Sequence, residues 1–154
     1  MIEREDRVAP ATAPDYARRA RRAAQDEDFE RARELAEAGL ALAPESPILR
    51  YTLSVALARL AESERALSVL ESVDDAPAEL MVLILTLRAR LLNALGRSEE
   101  AFAFLRQALE IDPGNVEAQL LRSSVALELS SYYLRNRRFA EAAAVADLAL
   151  QSPS

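Results

Sequence analysis

The stretch LMVLILTLRARLLNALGRSEEAFAFLRQALEIDP, Leu80 to Pro113, carries two helix-length apolar patterns on either side of one glycine. Leu85, Ala89 and Leu92 recur at steps of four and three residues, and Ala101, Leu105 and Ala108 repeat the same steps further on. Spacing of i, i+4, i+7 places side chains on one face of a helix. Gly96, between Leu95 and Ser98, suits a left-handed turn that folds the second helix back on the first. Pro113 closes the unit, because proline lacks an N–H and restricts the residue before it. Leu80 to Pro113 is therefore expected to form an antiparallel helix pair.

The pattern recurs along the chain. ERARELAEAGLALAP closes at Pro44, ERALSVLESVDDAP at Pro77 and AEAAAVADLALQSP at Pro153. An alanine stands 11 or 12 residues before each proline: Ala32, Ala66, Ala101 and Ala142, spaced by 34, 35 and 41. Ala36, Leu70, Leu105 and Ala146 follow four later, then Gly39, Val73, Ala108 and Ala149. Twelve residues upstream of the alanines lie Ala20, Ser54, Ala89 and Ser130, with Ala23, Leu57, Leu92 and Tyr133 three further on. Small residues at matched points let two helix axes approach closely while larger ones fill the gaps between turns. Helices are predicted over 14–25, 28–42, 47–61, 64–74, 79–95, 98–111, 115–136 and 139–151. Ser46-Pro47 reads as an N-cap followed by an N1 proline. Ser63-Glu64 and Ser98-Glu99-Glu100 read as capping hydroxyls before first-turn acids.

Two units depart from the common length or composition. The last spacing is longer by seven residues, and these fall inside Val116–Asn136, where there is neither Gly nor Pro. Seven residues are about two turns, so the helix lengthens without rotating its face. In the first unit, DYARRARRAAQ has Arg19 where a large apolar residue is expected, so that helix is either a solvated cap or loosely packed.

A unit of about 34 residues with these positions in phase resembles the tetratricopeptide repeat family. The third unit fits best, with Leu92, Leu95, Gly96, Ala101, Leu105, Ala108, Leu109 and Pro113 at family positions. The resemblance covers roughly Pro14 to Pro153. It implies an all-α fold, an α-solenoid of antiparallel helix pairs wound as a right-handed superhelix. Residues 14–154 would be one domain with repeats near 14–46, 47–78, 79–114 and 115–154, preceded by a flexible segment, 1–13.

Composition narrows the chemistry. The 154 residues include 25 acids and 19 basic residues, for a net charge of -6, and every basic residue is Arg. There is no His, Cys or Trp. Histidine bases, thiol nucleophiles, Schiff-base lysines, disulfides and Cys/His zinc sites are thereby excluded. Carboxylate pairs remain, but Asp26, Glu27, Asp28, Glu30, Asp74 and Asp75 fall at helix starts or turns, where acids are ordinary. Gly39, Gly96 and Gly114 are isolated, so no phosphate loop is present, and no calcium loop is either. The chain is read as no enzyme and as needing no cofactor. Arg18, Arg19, Arg21 and Arg22 form a basic cluster, yet acids follow at once and the whole chain is acidic, so nucleic acid is not expected as a partner. The longest apolar run, Leu80–Leu87, is far short of the roughly 20 residues of a membrane span. Met1 to Pro14 has no basic-then-apolar signal pattern, and a cytoplasmic location is expected. An Ala-rich, Lys-free composition is of the kind met in high-GC bacterial genomes.

In a solenoid of helix pairs, one helix of each pair lines the concave side. The stripe opposite the packing stripe takes the second, fifth, ninth, twelfth and thirteenth positions of each unit, and the family resemblance makes these the ligand-facing positions. Among the 20 residues so chosen are four Arg and no Asp or Glu, although 25 of 154 residues are acidic. The expected groove residues are Arg21, Ile48, Tyr51, Val55, Arg59, Leu83, Thr86, Arg90, Asn93, Leu127, Ser131 and Arg135. Arginines would bind a peptide or helix of acidic character or a free carboxylate, Asn93 its backbone, and the apolar members its side chains. The Lys/Asn set with which some chaperone-binding members clamp a terminal carboxylate is missing. The expected function is thus non-catalytic protein binding, of adaptor, scaffold or co-chaperone type. Two alternatives stand beside it. One is a self-associating assembly subunit, a homo-oligomer formed through the C-terminal helix, where Val145, Leu148 and Ala149 would be exposed. The other is a small secretion chaperone for an exported protein.

Overall fold

The computed structural model describes residues 9–150, which form eight α-helices and, among the described residues, no strand. In chain order these are α1 (Ala13–Gln25), α2 (Phe29–Leu42), α3 (Pro47–Arg59), α4 (Ser63–Glu71), α5 (Ala78–Ala94), α6 (Ser98–Ile111), α7 (Val116–Arg135) and α8 (Phe139–Leu150). Each helix packs on the next, and α1, α3, α5 and α7 also touch one another in sequence. Among the described residues the even-numbered helices do not pack backbone to backbone on one another; Arg65 of α4 reaches Glu37 of α2 only through an exposed ion pair at 2.8 Å. The odd-numbered helices therefore form the tight inner layer of a curved array, with the even-numbered ones splayed outside it. This is the all-α solenoid that the repeat spacing predicts. The expected N-terminal segment falls largely on residues outside the described range; Thr12 already caps α1, its hydroxyl accepting the Asp15 N–H while its own backbone N–H donates back to the Asp15 carboxylate at 3.0 Å, a capping box.

The core follows the repeat positions. Ala20, Ala32, Ser54, Ala66, Ala89 and Ala101 are fully buried, with Leu57, Leu70, Leu92 and Leu105 packed between them. The Ser54 hydroxyl donates to the Ala66 carbonyl at 2.8 Å, so even the polar member of this small-residue set is satisfied. The first unit is packed rather than loose: Ala20 and Ala23 are buried against α2, and Arg19 lies over the Tyr16 ring at 5.8 Å. Gly39 makes this possible, since a Cβ there would stand 2.9 Å from Tyr16 Cβ and 2.8 Å from Leu49 Cδ2.

The turns inside the four helix pairs are one structure repeated. Glu27, Ala61, Gly96 and Arg137 have φ of 59°, 64°, 77° and 58°. After each, an N–H donates back to the helix: Asp28 to Ala23, Glu62 to Leu57, Arg97 to Leu92 and Arg138 to Tyr133, at 2.8–2.9 Å. This is the Schellman arrangement, which satisfies carbonyls left open at a helix end. Only one of the four left-handed residues is the expected glycine.

Some element ends differ from expectation. Ser63 and Ser98 do not cap α4 and α6. They are the first helical residues, because the short left-handed turn starts the next helix at once, and the N-cap residues Glu62 and Arg97 make no side-chain cap bond. Ser46 does cap α3, accepting the Leu49 N–H. Helix α4 ends at Glu71 rather than near 74, since Asp74 and Asp75 would place negative charge at the negative end of the helix dipole. Pro77 consequently opens α5 instead of stopping α4.

Candidate ligand-binding groove

The inner layer brings six of the expected groove residues together. Tyr51, Val55 and Arg59 of α3 and Leu83, Thr86 and Arg90 of α5 line a cavity of about 330 Å3. They meet because α3 and α5 present matching turns to the concave side, one repeat apart. Tyr51, Val55 and Leu83 supply its apolar wall. Thr86 is only 4% exposed and its hydroxyl donates to the Val82 carbonyl at 2.7 Å, so its one donor is already used within α5.

Both arginines are exposed and both already face an acid. The Arg59 guanidinium lies over the Phe29 ring at 4.6 Å, with Glu27 at 4.0 Å. Arg90 is ion-paired with Glu117, which reaches in from the first turn of α7 and lines the same cavity. Burial, and then the Glu117 charge, push the Tyr51 hydroxyl above its ordinary pKa, with Arg90 acting the other way. The inside of the curve is therefore not free of acid. Glu117 escapes the repeat arithmetic because counting back from Ala142 leaves the extra two turns of α7 uncounted. It lies seven and fourteen residues before Ser124 and Ser131, on the same stripe, and extending the count by one heptad finds it.

The remaining expected residues lie apart. Leu127, Ser131 and Arg135 line a separate recess of about 850 Å3, between the C-terminal half of α7 and the α5–α6 turn. Helix α7 has 20 residues against 14 in α6, so its C-terminal end overhangs that turn. Tyr133 ties the overhang down: its hydroxyl donates to Glu99 at 2.5 Å, and donating that bond, together with burial, pushes the phenol up to about 12. Asn93 is half-buried, and its Oδ1 accepts from the Ser98 hydroxyl at 2.7 Å, which holds the side chain toward the α5–α6 turn. Ile48 is half-buried at the head of α3, and Arg21 is exposed on α1, away from both recesses.

Of the carboxylates considered for catalysis, those around the α1–α2 turn have local structural work. Asp28 caps α2, Asp26 accepts from Arg22 at 3.3 Å, and Glu30 pairs with Arg33 at 2.5 Å. In the basic cluster Arg18 and Arg22 are ion-paired with Asp15 and Asp26. Among the described residues no helix is long and apolar enough to cross a membrane.

Two family models described as Tetratricopeptide repeat match this chain, one over residues 17–79 and the other over 82–125. The chain belongs to the tetratricopeptide repeat family. Solved tetratricopeptide structures share its fold at low identity. The first TPR domain of Spaghetti (RPAP3), bound to the HSP90 peptide SRMEEVD, superimposes with a TM-score of 0.70 at 20% identity, over 77% of this chain and 94% of that one. The first TPR domain of human RPAP3 gives 0.71 at 20% identity, over 78% and 94%. The MamA RS-1 ArsTM double mutant gives 0.64 at 20% identity, over 86% and 70%. Among curated protein sequences none matches this chain.

Proposed function

We propose that this protein is a non-catalytic interaction module that captures an acidic peptide or helix of a partner protein in the α3–α5 cavity. The observation that carries the reading is the cavity itself, an apolar wall of Tyr51, Val55 and Leu83 between exposed Arg59 and Arg90. Acidic side chains or a terminal carboxylate would exchange with Glu117 at Arg90. Exposed ion pairs are worth only about 0–1 kcal/mol, so the exchange meets little resistance. The acidic peptide SRMEEVD, held by the RPAP3 domain, is a ligand of this chemical kind. An adaptor or co-chaperone role in the cytoplasm, without nucleic acid, is the corresponding setting.

Labelled SRMEEVD followed by fluorescence anisotropy tests the charge logic. The Arg59→Glu, Arg90→Glu double variant should lose affinity at least about tenfold, and Glu117→Gln should gain a few-fold. Equal binding by all three proteins would sink the reading. Affinity purification of the wild type and the double variant, compared by mass spectrometry, then identifies partners that depend on these arginines.

The alternative through the C-terminal helix is weaker. Val145, Leu148 and Ala149 are half-buried and packed on the core, which leaves Phe139 and Leu150 as the exposed large apolar residues of α8. No residue singles out a secretion chaperone.

A further inference from the structure

Among the described residues, α7 carries five of the ten exposed large apolar side chains, more than any other helix. Leu120, Leu127 and Leu134 are 68%, 71% and 53% exposed. At about 100° per residue their seven-residue steps hold them within roughly 40° of one another, a single ridge along the helix. Ser124 and Ser131, also exposed, alternate with the leucines at steps of four and three. Apolar residues in a 3–4 rhythm with small ones between are the pattern of a helix–helix seam, where small side chains admit the knobs of a facing helix. Among the described residues no helix packs on this ridge, and its leucines remain exposed.

The charges beside the ridge choose the occupant. Glu128 and Arg135 stand one heptad apart on the same flank, about 100° and 80° round from Leu127. Neither forms an ion pair among the described residues; Arg135 only donates its Nε–H to the Ser131 carbonyl at 3.3 Å. A flank that carries an acid and, one heptad later, a base is complementary to itself when reversed. In a two-fold antiparallel pair the same flanks face each other. With the axis passing near Ser131, Leu127 of each copy meets Leu134 of the other, and Glu128 meets Arg135 twice. The recess of about 850 Å3 beside these residues leaves room for the incoming side chains.

We propose that α7 is a self-complementary seam through which a second copy of this chain docks antiparallel about Ser131. The seam uses α7 and not the C-terminal helix, and it does not depend on the α3–α5 cavity.

Sedimentation equilibrium of the full chain, from micromolar to millimolar concentration, tests this. The wild type should dimerise reversibly, and Leu127→Glu should be monomeric with unchanged helical circular dichroism, because Leu127 is exposed and lies outside the core. Glu128→Arg and Arg135→Glu should each weaken association about tenfold, since each sets like charges opposite one another twice. Together, Glu128→Arg with Arg135→Glu should restore it. A wild type that stays monomeric throughout would overturn the proposal and leave the ridge to a foreign helix. A double variant no better than the singles would also overturn it, by removing the two-fold pairing. Anisotropy with SRMEEVD reports on the cavity separately and should be the same for Leu127→Glu as for the wild type.

Discussion

Gly39 and Ala61 carry opposite backbone penalties. Alanine at 61 is held at φ 64°, where its Cβ is crowded and glycine is at ease. Ala61→Gly should therefore stabilise the protein by about 0.5–1 kcal/mol, a thermal shift of about 2 °C by calorimetry. At Gly39 two effects compete. Alanine gains roughly 1 kcal/mol of helix propensity. It must also fit a methyl 2.9 Å from Tyr16 Cβ, which cannot swing away as the Leu49 methyls can. Overpacking of this kind costs about 1–3 kcal/mol, so Gly39→Ala should destabilise, and urea midpoints will show the sign. Tyr133 supplies a pH signature. Its phenol rises from about 10 to about 12 in the fold, so the unfolded chain ionises first. The stabilisation is whole below pH 10 and disappears as pH climbs towards 12. Tyr133→Phe should lose about 1 kcal/mol at neutral pH and flatten that alkaline decline. The sequence marks 39 as a small position, but only the structure shows how tight it is. Left-handed residues at 27, 61 and 137 are illegible beforehand, because Glu, Ala and Arg are ordinary helix formers.

Helices differ widely in how much of themselves they bury. Eight residues of α5 are buried and only Ala142 of α8. Local opening follows buried contact, so amide exchange should be slowest in α5 and fastest in α8. Equal protection of the two would contradict the nearest-neighbour picture. Helix existence was readable from the sequence because the i, i+4, i+7 stripes are strong and the prolines and serines punctuate them. Readability failed at α4, where Val73 fits the stripe and is buried, yet the helix has ended two residues earlier. The lengthening of α7 was also readable. Its consequences, Glu117 at Arg90 and a bare leucine ridge, were hidden by aligning the units from their C-terminal ends.

In the molecule as a whole, a chain of net charge -6 still presents two exposed arginines, Arg59 and Arg90, at one cavity, with Glu117 as the acid beside them. Six of twelve expected groove residues meet in one cavity, and the overhang of α7 carries three others into a different recess. A periodic sequence fixes which face each residue occupies; it does not fix how far along the axis neighbouring helices slide. The nine-residue α4, followed by the six-residue link Ser72–Pro77, has a mechanical meaning as well. Every other link between repeats has four residues, and α4 is the shortest of the eight helices. Treated as a spring and drawn out by its two ends, the protein has stiff coils, each clasped by a Schellman turn, and one slender joint. Under load it should part first between α4 and α5, into two halves of two repeats each, and optical-trap traces should show that event at the lowest force.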